Sequence, residues 1–184
     1  MKKLIKNNFI KLFLGMFLIA GLLTGCSTNK VSMQNSNSNI EKHTVNSIED
    51  LKHTEHFQRG ALKHIFDGEI NGRGKAVGFH YEDFPGTKGK VIEGTRSKPN
   101  KEGVYTGKVE IEGVKKTANH GKSTFFPEDW TPQQVVDAIN EAYRDREFVE
   151  GSKNTYVGES KEGVEISMYI NDETGKIISA FPVY

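Results

Sequence analysis

The apolar positions of residues 50–184 switch between two periods. In Asp50–Phe66, "DLKHTEHFQRGALKHIF", residues Phe57, Ala61, Leu62, Ile65 and Phe66 recur three and four apart, which predicts one helix over 50–66 with Gly68 as its stop. Gly74–Glu82, "GKAVGFHYE", alternates: Val77, Phe79 and Tyr81 on one face, Gly78, His80 and Glu82 on the other. That period predicts a strand. "FPGTKG" reads as a turn, and Val104–Glu112 alternates again. At Thr131-Pro132-Gln133-Gln134 a cap, a first-turn proline and a capping-box glutamine coincide, so a helix starts there. Val135, Val136, Ile139, Ala142 and Tyr143 form its apolar stripe. "NTYVGES", "GVEISMYIN" and "KIISAFPVY" then read as three strands joined by the hairpin-like turns "KEG" and "DETG". Helix, strands, helix, strands is the order of an α+β fold with helices packed on mainly antiparallel sheets.

The residues before this domain follow other rules. Lys2, Lys3, Lys6 and Lys11 precede an apolar run that closes on Leu23-Thr24-Gly25-Cys26. A basic start, a short apolar stretch and a small-residue end make an export signal over 1–25. The closing tetrapeptide resembles the bacterial lipobox, which implies that Cys26 is acylated and begins the mature chain. Cys26 is the sole cysteine, so no intrachain disulfide can form. Residues 26–49 are polar and rich in Asn and Ser, the composition of a disordered tether. As a flexible coil, about 20 such residues would hold the domain, residues 50–184, on the order of 25 Å from a membrane. The whole chain is formally +1, and removing the four leader lysines leaves −3. A protein that coats nucleic acid through its overall field is expected to be basic. Nucleic-acid chemistry here would need a local pocket.

Three polar residues sit oddly in this scheme. His64 ends the first expected helix, His80 lies on the polar face of the first strand, and Lys122 follows Gly121 ahead of a β-prone run. Two imidazoles and a cation are the parts needed to cleave RNA without a metal. One neutral ring takes the 2′-OH proton, a protonated ring supplies the leaving 5′-oxygen, and the cation stabilises the phosphate charge. The chain has six histidines, however, and spacing alone leaves a structural role for each open. His53 and His56 lack the H-E-x-x-H pattern of a zinc helix and read as a solvated face. His120 could join a site near Lys122. Ser123 and Thr124 read as local hydrogen bonders. Lys108, Lys115 and Lys116 fit an RNA groove and an outward-facing surface equally well.

"KHIFDGE" (63–69), "GKAVGFH" (74–80), "GKSTFFPEDWTPQQV" (121–135) and "GKIISAFPVY" (175–184), in this order, resemble the bacterial EndoU nuclease family. The resemblance covers essentially residues 55–184. It implies an EndoU-like RNase fold and places the family's two catalytic histidines on His64 and His80 and its lysine on Lys122. Ser179 falls on a substrate-binding position often filled by Thr or Ser. Phe181 falls where the family often has Tyr, so a stacking ring is kept and the phenolic hydroxyl is lost. No catalytic metal or other cofactor is implied, with an effect of Mn2+ left open. The implied activity is endoribonucleolytic cleavage of single-stranded RNA by transphosphorylation, with a preference for uridine. Relatives that act as toxins imply a cognate immunity protein as partner. RNA and, through the lipid anchor, the bacterial cell membrane are the other expected partners of an extracytoplasmic monomer. The alternative is a non-catalytic, degenerate EndoU-fold binding module on the cell surface, with Phe181 marking the lost chemistry. For the anchor the expectation is direct: the protein partitions into detergent, and Cys26→Ala abolishes lipidation, read by lipid labelling and phase partitioning.

Overall fold

The computed structural model describes residues 45–184, so the expected signal, Cys26 and most of the expected tether lie outside the described residues. Two antiparallel sheets organise the chain. In the first, β3 (Gly89–Val91) and β5 (Val114–Lys115) pair with β4 (Tyr105–Ile111), and β6 (Lys122–Phe125) pairs with the start of β4. The second has the order β10-β9-β8-β7, built from β7 (Glu147–Phe148), β8 (Thr155–Glu159), β9 (Glu165–Ile170) and β10 (Ile177–Pro182). A two-residue hairpin joins β1 (Glu69–Ile70) and β2 (Ala76–Val77). Helix α2 (Pro132–Arg144) packs on β8 and β9, and the short α1 (Ala61–Phe66) packs on β10. The α+β expectation holds.

Each sheet has its own core. Val135, Val136, Ile139 and Ala142 of α2 join Ile65 and Phe66 of α1 and Ile166, Met168, Ile177 and Ala180 of the second sheet. Ala76, Phe79, Tyr105, Val109, Ile111 and Phe125 form a smaller core around β4. Val45 and Ile48 already pack against the larger core, ahead of the expected domain start at Asp50. Among the described residues no helix is long and apolar enough to cross a membrane.

Two expected elements are shorter than their periodicity suggests. The helix expected over 50–66 is helical only from Ala61. Its first half is a short 3₁₀ turn at Ile48–Asp50 followed by irregular chain, interrupted by His53 at φ 58° and Gly60 at φ 87°. Left-handed residues stop a right-handed helix from propagating, whatever the spacing of its apolar side chains. The strand expected over 74–82 survives only as Ala76–Val77, because Gly78 and Phe79 have φ of 78° and 64°. The flip breaks the alternation, and Phe79, His80 and Tyr81 are all buried.

The start of α2 follows its sequence. Thr131 Oγ1 accepts from Gln134 N at 3.3 Å, Gln134 Oε1 accepts from Thr131 N at 2.7 Å, and Pro132 occupies the first turn. Thr131→Ala is therefore expected to cost about 1 kcal/mol in urea unfolding. Adding Gln134→Ala should cost less than the sum of the two single effects, since both bonds belong to one box.

Candidate active site

The last carbonyls of a helix have no partner within the helix. In α1 two of them are taken by the loop that follows β2: Phe79 N donates to His64 O at 2.9 Å, and His80 N donates to Ile65 O at 2.7 Å. The loop is held from its other side by Phe126 N, which donates to His80 O at 3.0 Å, and by Ser123 Oγ, which donates to Gly78 O at 3.0 Å. Residues 78–80 thus form a strap between α1 and β6. Only glycine fits at 78, where a Cβ would lie 2.2 Å from His64 O. The strap brings the His64 and His80 rings to a centroid separation of 6.4 Å.

Lys122 opens β6 after Asn119, His120 and Gly121, whose φ values of 51°, 55° and 82° make a left-handed turn. Behind it Phe125 is buried in the smaller core and Phe126 in the larger. Successive side chains of a strand point to opposite faces, so this pair pins β6 between the two cores. Trp130 stacks on Phe126, and its carbonyl accepts from Tyr81 Oη at 2.6 Å. The aromatics ahead of α2 are therefore structural, as expected, and leave Lys122 exposed at the strand's start.

β10 supplies the opposite wall. A bulge between Ile177 and Ser179 inserts one residue against β9. Strict alternation would have put Ile177, Ser179 and Phe181 on one face. The bulge instead lets Ile177 and Ala180 both reach the core while Ser179 and Phe181 face the cleft. Phe181 stacks on His80 with centroids 5.3 Å apart, and Tyr169 meets its edge at 5.7 Å.

His64, His80, Lys122, Ser179 and Phe181 therefore line one cleft of about 550 Å³, together with Lys116, Thr124 and Tyr169. None of its lining residues is a carboxylate, on a chain whose mature net charge is expected to be negative. Among the described residues, Ser179 Oγ and Thr124 Oγ1 are buried in the cleft wall without a hydrogen-bond partner, as are Asn140 Oδ1 and Arg146 Nε outside its lining. His120 does not line the cleft, although Ala118 and Asn119 do. His53 bonds Asp137 at 3.0 Å and His56 stacks on Tyr143, neither of them on a helix. Among the described residues no group of three or more His, Cys, Asp or Glu side chains could hold a metal.

The two imidazoles have different surroundings. His80 Nδ1 lies 2.8 Å from Thr124 O. A carbonyl only accepts, so Nδ1 carries the proton and Nε2 keeps its lone pair. Burial, then the charge of Lys116, lower the His80 pKa to about 3, so the ring is neutral at neutral pH. His64 Nδ1 instead faces Glu69 Oε1 at 3.0 Å, which supplies a counter-charge when that ring is protonated. Glu69 lies in "KHIFDGE", and no spacing or pattern in the sequence marks it. Its proximity to His64 depends on the chain reversing after Gly68, at φ 67°.

Lys116 is one of three lysines, with Lys108 and Lys115, that the sequence leaves open between an RNA groove and an outward surface. Lys108 and Lys115 are exposed, whereas Lys116 is buried in the cleft wall. Its Nζ donates to Ser123 Oγ at 2.8 Å and approaches Gly78 O at 3.4 Å. Burial lowers its pKa to about 8.

Comparison with known families matches residues 58–184 to the bacterial EndoU nuclease family. The chain belongs to that family. It is also similar to a Bacillus cereus protein named "Toxin", 51% identical over 149 residues, which cover 81% of this chain and 26% of that protein. The chain thus spans about a quarter of the relative it matches. No solved structure matches it. The EndoU match spans both sheets and every cleft residue named above.

His80 also links the EndoU cleft to stability. Its pKa is about 3 when folded against an ordinary value of 6.5, so between these values the unfolded chain binds a proton that the native one excludes. Stability at this position is complete above 6.5 and falls as the pH drops toward 3. In urea unfolding between pH 6 and pH 4, the parent should lose up to about 1.4 kcal/mol per pH unit more than His80→Gln.

Proposed function

We propose that this EndoU domain is a metal-independent endoribonuclease that cleaves single-stranded RNA by transphosphorylation. The observation that carries the reading is the pair of imidazoles, 6.4 Å apart in a carboxylate-free cleft, with one ring held neutral and the other beside a carboxylate. His80 Nε2 takes the proton from a ribose 2′-OH as the 2′-oxygen attacks the adjacent phosphorus. The bond from phosphorus to the 5′-oxygen breaks, and His64 Nε2 delivers a proton to that oxygen. The products are a 2′,3′-cyclic phosphate and a 5′-hydroxyl. Lys122 faces the charge that grows on the phosphate in the transition state. Phe181 offers a face on which a base or sugar can stack, and the free Ser179 hydroxyl offers a hydrogen bond, consistent with a preference for uridine.

The relative's printed name supports a toxin role and, with it, a cognate immunity protein as partner. The lipobox-like segment supports export and anchoring by Cys26, with the domain acting outside the cytoplasm as a monomer. RNA would then be met after release, on delivery into a neighbouring cell, or as external RNA.

Incubating the purified chain with end-labelled RNA, with chelator and with added Mn2+, tests the reaction: cyclic-phosphate ends should form in chelator. His64→Ala and His80→Ala should each reduce cleavage by about 10²–10⁴-fold while remaining folded. Lys122→Ala should show its deficit mainly in kcat. The pH profile of kcat/KM should be bell-shaped, with limbs that belong to the coupled pair. Its acid limb should lie well below 6.5, since His80 stays neutral down to about 3. Phe181→Tyr should raise the rate or sharpen base preference if a hydroxyl is needed there, and should be nearly silent if Phe181 is an apolar platform. No cleavage by the parent or by Phe181→Tyr would favour the non-catalytic binding module.

A further inference from the structure

Lys116 combines features that rarely occur together in a folded protein. It is 9% exposed, lies in the wall of the catalytic cleft, and has no carboxylate within 4.0 Å among the described residues. Buried charges are ordinarily paired, because leaving one unpaired is costly. The titratable groups that share the cleft with it are His64 from α1, His80 from the strap, Lys122 from β6 and Tyr169 from β9, none of which is a carboxylate. Lys108, opposite Lys122 in the register of β4 and β6, adds another cation nearby.

The ammonium has three N–H donors. One reaches Ser123 Oγ and a second points to Gly78 O, which leaves one donor for a ligand. A lysine with a purely structural task at this position would gain nothing from its charge, since Ser123 Oγ already ties β6 to Gly78 O by itself. The charge becomes useful when an anion enters.

We propose that Lys116 is a second phosphate-binding cation of the cleft, completed by an RNA phosphate oxygen that supplies the counter-charge the folded chain omits. Lys122 then approaches the phosphate from the exposed end of β6, and Lys116 from the buried wall. The proposal rests on the nuclease reading only for the anion's identity as RNA phosphate. Anion binding at Lys116 is measurable without any cleavage.

The test uses sulfate, which keeps a constant charge across the pH range needed. Sulfate binding to the full chain is followed by calorimetry and by the amide resonances of Gly78 and Ser123. The parent should bind sulfate at pH 7 and lose affinity as the pH rises through about 8, where the Lys116 ammonium deprotonates. Lys116→Met should weaken sulfate on the order of 10- to 100-fold, the value of a hydrogen bond to a charged group. Lys116→Arg should recover part of that loss. Lys115→Met, which removes the same charge from the exposed neighbour, should change nothing. Thermal unfolding separates a folding defect from lost binding: Lys116→Met should be at least as stable as the parent, because the unpaired buried charge is gone. A parent that binds no sulfate, or a folded Lys116→Met that binds it as the parent does, overturns the proposal. Lys116-dependent sulfate binding without RNA cleavage would uphold it and overturn the nuclease reading instead.

Discussion

The architecture turns on a small set of hydrogen bonds at the end of α1. That helix is six residues long and cannot satisfy its own last carbonyls. The strap at residues 78–80 does so from one side and bonds β6 from the other. Because the strap carries His80 and the helix carries His64, closing the helix and bringing the two rings together are one event. Gly78 makes the approach possible, since any Cβ there would collide with His64 O. A requirement of backbone hydrogen bonding thus sets the geometry of the EndoU cleft.

Around that strap the two cores act as rigid jaws. β6 cannot shift without moving Phe125 in one core and Phe126 in the other. β10 is fixed by Ile177 and Ala180 on its inner face, and the bulge between them frees Ser179 and Phe181 to face the opposite way. The cleft walls are therefore set by buried apolar side chains, with buried polar groups set among them. Among the described residues, two of the four buried polar side-chain atoms without a partner, on Ser179 and Thr124, lie in this cleft, beside a Lys116 ammonium that has hydrogen bonds but no carboxylate. Each leaves a buried polar or charged group short of a partner, which costs stability.

Electrostatics follows from the same placement. Excluding carboxylates from the lining makes the cleft attractive to an anion although the mature chain as a whole is expected to be acidic. Burial and the charge of Lys116 both favour a neutral His80. Glu69, outside the lining, gives His64 the opposite surroundings. Two chemically identical side chains thus acquire different neighbours: a carbonyl and a buried lysine for His80, a carboxylate for His64.

Much of this was legible in the residues themselves. Local codes suffice where the determining interaction spans a few positions: the capping box at Thr131, the stripe of α2, the alternation of β4 and the C-terminal hairpins were all formed as expected. The resemblance carried by four short segments named the family and the residues that meet in the cleft. Periodicity failed where the chain adopts left-handed conformations, at His53, Gly60, Gly78 and Phe79, because apolar spacing carries no information about the sign of φ. It also could not reveal the bulge at Ile178, which reverses which residues of β10 face inward. Glu69 and Lys116 illustrate the deeper limit. Nothing in a lysine's own neighbourhood distinguishes Lys116 from the adjacent, exposed Lys115. Burial beside Ser123 and Gly78 is decided by strands from distant parts of the chain. The sequence by itself determined the elements whose signals are local, α2, β4 and the C-terminal strands, and supplied through resemblance His64, His80, Lys122, Ser179 and Phe181 as the residues to look for. Only the tertiary structure decided which side chains lose water and which gain a neighbour, and those two effects set their charge.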